Sequence, residues 1–350
     1  METVNYSNRI EKERVERIPD KPPVIPPLPP GTERPLWSVM IPAYNCSVYL
    51  IKTIESVLQQ DMGPDKMQIE VIDDCSTDAD VEQLVIETGK GRVGYYRQPQ
   101  NVGSLRNFET CLNRARGYYI HLLHGDDRVK DGYYKQITAL FKRFPEAGAA
   151  YSAWDYIDTK GAILRHSRIE AGAPCILDNW LFKLAEHQRL QYVTISVKRE
   201  VYEKLGGFYG VTYGEDWEMW ARIAKHYPTA YTPEILAEYR EHPTSISSQS
   251  FLSGKNIRDT VQVIDTISSY LPEEEQQRVK RLARKYYVHW AFDYTAEQWY
   301  NLRNKRAIYN QMREILKVYF DRSILVKMAK LIAQIELISL RSTIRRIIRS

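Results

Sequence analysis

The chain has 350 residues, of which 43% are hydrophobic and 27% are charged, as is usual for a globular protein. It lacks an uninterrupted apolar stretch of about twenty residues, which argues against a transmembrane helix, and residues 1–20 are too charged for a secretory signal peptide. Four cysteines without a C-x-x-C pair predict free thiols in a reducing compartment, and therefore a cytoplasmic protein.

The net charge of +5 is unevenly distributed along the chain. From Lys255 onward there are 19 Lys and Arg against 10 Asp and Glu, so the preceding part is slightly acidic. A basic C-terminal region is typical of contact with an anionic surface such as a membrane, although a solvated helical face has the same composition. Nucleic-acid binding is not expected, because the basic excess is terminal and the predicted strand ends are acidic.

Residues 1–35 are charged at first and then rich in proline, as in KPPVIPPLPPGTERP. Proline at this density interrupts helices and sheet ladders and favours an extended polyproline II conformation. We therefore predict a disordered or surface-lying arm at 1–35. A globular α/β domain at 36–250 and a helical region at 251–350 are predicted to follow it.

From Trp37 onward, short apolar runs alternate with segments of helical periodicity. The predicted strands lie in WSVMIPAY, IEVID, VGYYRQP and YYIHLLHGDD, and the predicted helices span 48–60, 78–87, 105–116 and 131–144. This alternation predicts right-handed crossovers and a mainly parallel sheet, whose ligands bind beyond the carboxyl ends of the strands. Polar pairs follow three of the strands, namely Tyr44-Asn45, Asp73-Asp74 and Asp126-Asp127.

Two of these pairs suggest specific contacts. In VIDDCSTD (residues 71–78), Asp74 can accept hydrogen bonds from a nucleobase or a ribose, but a helix N-cap is an equally good interpretation. In HGDD (residues 124–127), the adjacent carboxylates suit a divalent cation that prefers oxygen ligands, such as Mg²⁺ or Mn²⁺. Gly-Asp-Asp is also a common turn sequence, so this motif alone leaves both interpretations open.

Two later segments carry further candidate residues. GEDWEMWARI places Glu215 and Asp216 at the start of an amphipathic helix. There they either interact favourably with the helix dipole or act as a base toward a hydroxyl group. YREHPTSIS offers Arg240 and His242 on a predicted loop, where an arginine can bind phosphate and a histidine can bind a metal or cap a turn.

Taken in order, SVMIPAYN, VIDDCSTD, NVGSLRN, GYYIHLLHGDD, GEDWEMWARI and YREHPTSIS resemble the motifs of the family 2 glycosyltransferases, a large inverting group with the GT-A fold. The resemblance covers residues 37 to about 250. It implies a Rossmann-like, mainly parallel sheet flanked by helices, to which the helical C-terminal region is appended.

The resemblance also implies a role for each matching residue. On the donor side, Pro42, Tyr44 and Asn45 would line the nucleotide pocket, Asp74 would contact the base, and Asn101 and Arg106 would border the site. At the metal, Asp126 would be the main ligand, with Asp127 and His242 beside it, and Arg240 would meet the diphosphate. Asp216, next to Glu215, would be the general base.

Two positions depart from the family pattern. His124 stands where the D-x-D motif begins with an aspartate, which puts the contact to ribose or metal at this position in question. Cys75 stands where the family often has glycine, so the loop after the second strand is expected to differ in shape.

The C-terminal region ends in a predicted helix that has an apolar stripe, namely Ile324, Met328, Leu331, Ile335 and Ile338, beside a mostly basic one. Such a helix can lie on an anionic membrane, which would give peripheral contact through 324–349 at the inner face of the cytoplasmic membrane. Its far side is apolar too, which favours the alternative that it packs on the catalytic domain or on a second subunit of a homo-oligomer.

The predicted function is the transfer of a sugar from a nucleotide-sugar, most simply a UDP-sugar, to a hydroxyl of a glycan or lipid-linked acceptor. One direct displacement would invert the anomeric configuration, as part of polysaccharide or cell-surface glycan synthesis. A catalytically degenerate scaffold that binds sugar or nucleotide is the non-enzyme alternative, favoured by His124. A nucleotidyltransferase is disfavoured, because IPAYNCSVYL has neither glycine nor a basic residue to bind phosphates.

Overall fold

The computed structural model describes the backbone of residues 17–349 and the side chains of residues 17–300 and 302–338. Within them the chain forms two compact units. The first runs to Leu181 and resumes at Arg189–His242, and the second comprises Phe182–Gln188 and the chain from Pro243 onward. The division therefore lies a few residues before the predicted boundary at 250, and a short internal segment joins the second unit.

The first unit is built of strands and helices in α/β order. Its strands are β1 (Trp37–Ala43), β2 (Met67–Asp73), β3 (Gly94–Arg97), β4 (Tyr119–Leu122), β5 (Arg128–Val129), β6 (Ala149–Ile157), β7 (Ile163–His166), β8 (Cys175–Ile176), β9 (Ile195–Lys198) and β10 (Thr229–Arg240). Its helices are α1 (Ser47–Leu58), α2 (Val81–Gly89), α3 (Ser104–Arg114), α4 (Tyr133–Arg143), α6 (Arg199–Leu205) and α7 (Glu215–His226). Helix α5 (Trp180–Glu186) crosses the division between the units.

One sheet organises this unit, with the strand order β3-β2-β1-β4-β9-β6-β10-β5. Strands β1 to β4 pair in parallel, as do β6 and β10. Strand β9 lies antiparallel between β4 and β6, and β5, β7 and β8 also pair antiparallel with their neighbours. The predicted α/β fold with helices around the sheet is confirmed, and the complete sheet is mixed because β9 runs against β4 and β6.

The central strands are mostly apolar, and in β1 only Ser38 is polar. All seven residues of β1 are buried, which is typical of a parallel strand that is covered by helices on both faces. Helix α1 buries Leu50, Ile54 and Val57, which share one of its faces. Helix α2 begins at Val81 rather than at the predicted residue 78, because the Asp80 side chain caps it by accepting from the Gln83 amide, at 3.1 Å.

The second unit is helical, as predicted for the C-terminal region. It contains α8 (Ile246–Ser253), α9 (Lys255–Ser268), α10 (Glu273–Leu302), α11 (Lys305–Val318) and α12 (Arg322–Arg349). Its core includes four of the five residues of the predicted apolar stripe of α12, namely Ile324, Met328, Leu331 and Ile335, whereas the fifth, Ile338, is 37% exposed. The four buried side chains pack inside the unit, so most of the stripe that suggested membrane contact is not on the exposed surface of the helix.

The exposed side of α12 is also apolar in part. Leu325, Val326, Ile332 and Leu337 are exposed there, and side chains beyond residue 338 lie outside the described residues. Over the part of the chain that the structure describes, none of the helices is both long enough and apolar enough to span a membrane.

The described part of the predicted arm, residues 17–35, belongs to the first unit. It contains neither a strand nor a helix beyond its first residue, in keeping with its proline content. Ile25 in its centre is completely buried, whereas the adjacent Val24 is 79% exposed. Residues 1–16 of the predicted arm lie outside the described residues.

Candidate functional site

The carboxyl ends of β1, β2 and β4 bring three polar loops together. The register aligns Ala43 at the end of β1 with Asp73 at the end of β2. Beyond the strands, the Asp74 amide donates to the Ala43 carbonyl at 2.8 Å, and the Gly125 amide donates to the Pro42 carbonyl at 3.1 Å. Backbone hydrogen bonds thus hold the loops that follow these strands against one another at one edge of the sheet.

The loops after β1 and β2 are joined through Asn45. Its amide donates to Ser76 Oγ at 3.0 Å, and its Oδ1 accepts from the Thr77 amide at 2.8 Å. Both Asn45 and Cys75 have left-handed backbone conformations, with φ of 49° and 63°, a region in which glycine is favoured. The Tyr44 side chain stays 51% exposed beside this junction, so its ring is available to stack on a planar group.

Asp74 is buried and organises the turn before α3. It accepts from the amides of Val102 (2.7 Å) and Gly103 (2.9 Å) and from Asn101 Nδ2 (2.9 Å). Burial raises the pKa of its carboxyl group, against the lowering effect of the two amides. Asp74 already accepts hydrogen bonds from three donors of the chain itself. Its contact with the nucleobase of a donor remains a prediction.

The neighbouring Asp73 is fully buried, and its hydrogen bonds stabilise the fold. It accepts from the Ser76 amide and from the Tyr95 hydroxyl, both at 2.9 Å, and it pairs with Arg97. The sequence did not separate the two carboxylates of this motif, because their partners on β3 and on the 101–103 turn come from distant parts of the chain.

Two other residues predicted for the donor side lie near this turn. Asn101 connects Asp74 with Arg17 of the arm, because its Nδ2 donates to Asp74 and its Oδ1 accepts from the Arg17 guanidinium. Arg106 lies on the first turn of α3, half-buried, and its Nη1 is 2.7 Å from Glu109 Oε2. The structure thus brings Asn101 directly onto Asp74, while Arg106 is engaged along its own helix.

The loop after β4 forms a compact cluster of His124, Asp126 and Asp127, whose potential ligand atoms lie within 4.8 Å of one another. Two of its buried atoms, His124 Nε2 and Asp127 Oδ2, have no hydrogen-bond partner among the described residues. A buried polar atom without a partner costs free energy unless a ligand, water or ion satisfies it. Carboxylate oxygens are the ligands that Mg²⁺ and Mn²⁺ prefer, and Mn²⁺ also accepts an imidazole nitrogen, so the residues present fit a divalent cation.

The electrostatics of the cluster also fit a cation. Burial lowers the pKa of His124, which keeps the imidazole neutral and able to act as a ligand. Burial and then the charge of Asp126 hold the pKa of Asp127 well above its usual range. For Asp126 burial opposes ionisation, but the hydrogen bond with His242 is the largest of the effects that outweigh it, so its pKa is lowered. A bound cation would relieve the repulsion between the two carboxylates.

The end of β10 supports this acidic loop through Arg240. Its amide donates to Asp127 Oδ1, and its Nε donates to the Asp126 carbonyl, both at 2.8 Å. Its guanidinium lies 4.8 Å from the centre of the Tyr49 ring and donates to the Asp158 carbonyl. Arg240 thus holds the acidic loop in place, and its contact with a diphosphate remains a prediction.

His242 follows on the same segment, where its Nε2 is 2.9 Å from Asp126 Oδ2. Its ring also lies against Tyr49, with 5.0 Å between the ring centroids. The structure thus brings together three predicted residues, Asp126, Asp127 and His242. It adds His124, which the sequence presented only as a departure from a motif.

The acidic pair of α7 lies on the other side of Tyr192. Glu215 and Asp216 are both buried at the first turn of the helix. Glu215 Oε1 accepts from the Tyr192 hydroxyl at 3.3 Å, and the Tyr192 ring lies 4.3 Å from the His124 ring. Asp216 Oδ1 accepts from the Trp217 amide at 2.7 Å. The Tyr192 side chain therefore connects Glu215, next to the predicted general base Asp216, with the predicted metal-binding cluster.

The sequence did not reveal Tyr192, nor Phe108, whose ring is stacked on His124 with 5.2 Å between the centroids. Both lie within helical or turn segments without a recognisable motif, at Tyr192–Thr194 and in α3. The chain's excess of tyrosine, 25 residues against 8 Phe, was the available signal, but it did not point to one position.

Comparison with known proteins agrees with the family resemblance of the sequence motifs. The profile described as "Glycosyl transferase family 2" matches residues 38–206. A putative teichuronic acid biosynthesis glycosyltransferase, TuaG of Bacillus subtilis, is 28% identical over 225 residues, which are 63% of this chain and 85% of TuaG.

Two solved structures share the fold. TarS 1-349 of S. aureus, in complex with UDP-GlcNAc, has a TM-score of 0.59 and 15% identity, with 85% of this chain and 89% of that one covered. The mannosyltransferase PcManGT of Pyrobaculum calidifontis, in complex with GDP-Man and Mn²⁺, has a TM-score of 0.50 and 15% identity, with 95% and 87% covered. At this identity the likeness establishes the fold alone.

Proposed function

We propose that this chain, which belongs to glycosyl transferase family 2 through the domain matched at 38–206, is an inverting, metal-dependent enzyme. It transfers a sugar from a nucleotide-sugar donor to a hydroxyl group of its acceptor. The observation that carries the proposal is the pair of unpartnered buried atoms in the His124, Asp126 and Asp127 cluster, one tyrosine away from Glu215 and Asp216.

The donor side would be formed by the loops at the ends of β1 and β2. Tyr44 offers an exposed ring for the base, and the turn at 101–103 lies directly beside Asp74. UDP is the first nucleotide to test, because the TarS structure with the higher TM-score contains UDP-GlcNAc. GDP-sugars come second, because PcManGT contains GDP-Man.

His124, Asp126 and Asp127, with His242 beside them, would hold Mg²⁺ or Mn²⁺. When bound, such a cation offsets the negative charge that develops on the departing nucleoside diphosphate. The chain's own contribution is to keep the imidazole of His124 neutral by burial and to fix the Asp126–Asp127 loop through Arg240.

Asp216 would remove the proton from the acceptor hydroxyl, with Glu215 held next to it by Tyr192. The hydroxyl oxygen then attacks the anomeric carbon, the bond from that carbon to the diphosphate oxygen breaks, and the nucleoside diphosphate leaves. A single displacement of this kind inverts the anomeric configuration without a covalent enzyme intermediate.

The acceptor would be a glycan or a lipid-linked saccharide in the synthesis of a cell-surface polysaccharide. This assignment follows the name of TuaG, which is a putative enzyme of teichuronic acid biosynthesis. The exposed side of α12 supports a cytoplasmic enzyme that touches the inner face of the membrane. Leu325, Val326 and Ile332 are exposed there, and Lys330 is exposed on the same helix.

Slow hydrolysis of the donor tests the function without knowledge of the acceptor. A panel of UDP- and GDP-sugars is incubated with the full chain and Mn²⁺, and the released nucleoside diphosphate is measured for the wild type and for Asp126→Ala. Asp65→Ala is the matched control, because Asp65 is exposed just before β2, at the opposite end of that strand from the site.

We expect one donor to be hydrolysed, with loss of the activity in Asp126→Ala and in the presence of a chelator, but not in Asp65→Ala. If the wild type releases no nucleoside diphosphate and binds no nucleotide with Mn²⁺, the chain is a degenerate scaffold.

Membrane contact is tested separately by co-sedimentation with vesicles of anionic or neutral phospholipid. Equal binding to both kinds of vesicle, or to neither, would contradict that part of the proposal.

A further inference from the structure

The N-terminal arm interacts with the first unit through specific hydrogen bonds. The Gly210 amide donates to the Pro19 carbonyl at 2.9 Å, and the Gly207 amide donates to the Pro23 carbonyl at 2.8 Å. Arg199 Nη2 donates to the Pro26 carbonyl at 3.1 Å. A proline-rich segment has few amides of its own to pair, so its carbonyls are available as acceptors for a neighbouring loop.

The loop that receives the arm requires glycine. A Cβ atom on Gly206 would lie 2.8 Å from both Pro22 Cβ and the Pro23 carbonyl oxygen, closer than non-bonded atoms approach, and its φ is 79°. On the arm side, the burial of Ile25 fixes the segment between Pro23 and Pro26. The close approach therefore involves both partners, and it orders the loop that leads from Gly206 to the start of α7 at Glu215.

The other end of the described arm reaches the donor side. The Arg17 guanidinium donates to Asn101 Oδ1, while Asn101 Nδ2 donates to Asp74 at 2.9 Å. Arg17 also lies across Gly103, since a Cβ atom there would be 3.0 Å from Arg17 Nε. The positive charge of Arg17 lowers the pKa of Asp74, against the raising effect of burial. With both of its polar atoms engaged, the Asn101 amide has one orientation.

We propose that the N-terminal arm orders two loops of the active site, with Arg17 as a positioning residue for the nucleotide-sugar donor. Arg17 fixes Asn101 and through it the Asp74 turn, while residues 19–26 hold the loop before Glu215 and Asp216. One continuous segment thereby connects the donor side with the acceptor side. This inference rests on the proposed function, because it assigns the 101–103 turn to donor binding.

Binding of UDP and GDP to the full chain with Mn²⁺, measured by titration calorimetry, tests the inference. Arg17 is exposed, so Arg17→Ala should fold normally. We expect it to weaken binding of the nucleotide by about threefold to tenfold, as for the loss of one charge-assisted hydrogen bond in a solvated place. Arg17→Lys keeps a donor and should recover part of the affinity, and the KM for the donor should rise while kcat changes little.

Arg34→Ala is the matched control within the same arm. Arg34 donates to the carbonyls of Arg116 and Gly117 and lies over Tyr118, just before β4, away from the carboxyl-end loops. We expect Arg34→Ala to lower the melting temperature and to leave nucleotide affinity unchanged. If Arg17→Ala also leaves the affinity and the donor KM unchanged, the arm is only structural and the inference is wrong.

Hydrogen–deuterium exchange of the nucleotide-free chain separates this inference from the proposed function. In Arg17→Ala, the amides of Val102 and Gly103 should exchange about tenfold faster. In Ile25→Ala, the amides of Gly207 and Gly210 should do the same, whereas Val24→Ala should change neither pair. Unchanged exchange in both variants would overturn the inference even if the wild type binds nucleotide. If the wild type binds no nucleotide, the proposed function fails and the assignment of Arg17 to donor binding fails with it.

Discussion

Two acidic motifs lie at the ends of the strands on either side of β1, and they differ in how many hydrogen bonds their carboxylate oxygens accept. After β2, Asp73 and Asp74 each accept three hydrogen bonds from the surrounding chain. After β4, Asp127 accepts one at Oδ1 and has none at Oδ2 among the described residues. Asp73 and Asp74 accept enough hydrogen bonds to stabilise their loops. The Oδ2 atom of Asp127 has no hydrogen-bond donor among the described residues, so it is suited to bind a cation or another ligand.

The same contrast holds for two histidines on and after β4. His121 is fully buried, with Nδ1 3.3 Å from the Tyr134 hydroxyl and Nε2 3.1 Å from the Val193 carbonyl. His124, three residues later, has an unpartnered Nε2. His121 therefore belongs to the stability of the fold, and His124 belongs to the site.

The largest effect is expected from Asp216→Asn, which removes the proposed base while keeping the shape of the side chain. Turnover should fall by about 10²–10⁴-fold, the usual contribution of general base catalysis, with nucleotide affinity unchanged. Single-turnover transfer and UDP titration measure the two quantities. An equal loss of nucleotide affinity would mean that Asp216 shapes the donor site instead.

Asp73→Asn should act on stability. The substitution leaves Arg97 and the Tyr95 hydroxyl without a charged acceptor, so the free energy of unfolding should fall by about 2–3 kcal/mol. Denaturant titration measures this change, and Mn²⁺ affinity of the remaining folded protein should be that of the wild type. A large loss of Mn²⁺ affinity without destabilisation would reverse the roles given to the two acidic motifs.

His124→Phe should separate metal binding from packing, because a phenyl ring can keep the contacts with Phe108 and Tyr192. We expect Mn²⁺ binding to weaken by at least about tenfold, with little change in melting temperature. His121→Phe is the counterpart, and it should lower the melting temperature while Mn²⁺ affinity stays the same. Calorimetric titration with Mn²⁺ alone decides between them.

The pH dependence of stability should reveal His121. Burial lowers its pKa from 6.5 to about 3 in the folded chain. Because the folded pKa is depressed, its contribution is fully present above pH 6.5 and is lost as the pH falls from there towards 3. Each pH unit in this window should cost about 1.4 kcal/mol of unfolding free energy in the wild type beyond the loss in His121→Gln. Parallel pH profiles of the two proteins would contradict this assignment.

Much of the fold could be predicted from the sequence because the information was local. An apolar strand followed by a polar pair recurs along the first part of the chain. The carboxyl ends of parallel strands lie at one edge of the sheet, so the convergence of the Asn45, Asp74 and Asp126 loops could be predicted. The antiparallel direction of β9 was not predicted, because it depends on which strands β9 meets after a long intervening path.

The fine division of roles could not be predicted, because the deciding partners lie far away in sequence. Asp73 and Asp74 are adjacent, but one meets β3 and the other meets the 101–103 turn. Tyr192 joins His124 to Glu215 only because the chain returns to β4 some seventy residues later. Likewise, the apolar stripe of α12 suggested a membrane-facing surface, and only the folded chain shows that Ile324 and Ile335 pack inside the second unit.

The buried Ile25 has a consequence for where this protein can be cut. Similarity to the family begins at residue 38, but a chain shortened to that point would leave an empty space where Ile25 lies. The amides of Gly207 and Gly210 would also lose their acceptors. We therefore expect a fragment that begins where the family match begins to be destabilised, and recombinant fragments should keep the residues from Arg17 onward.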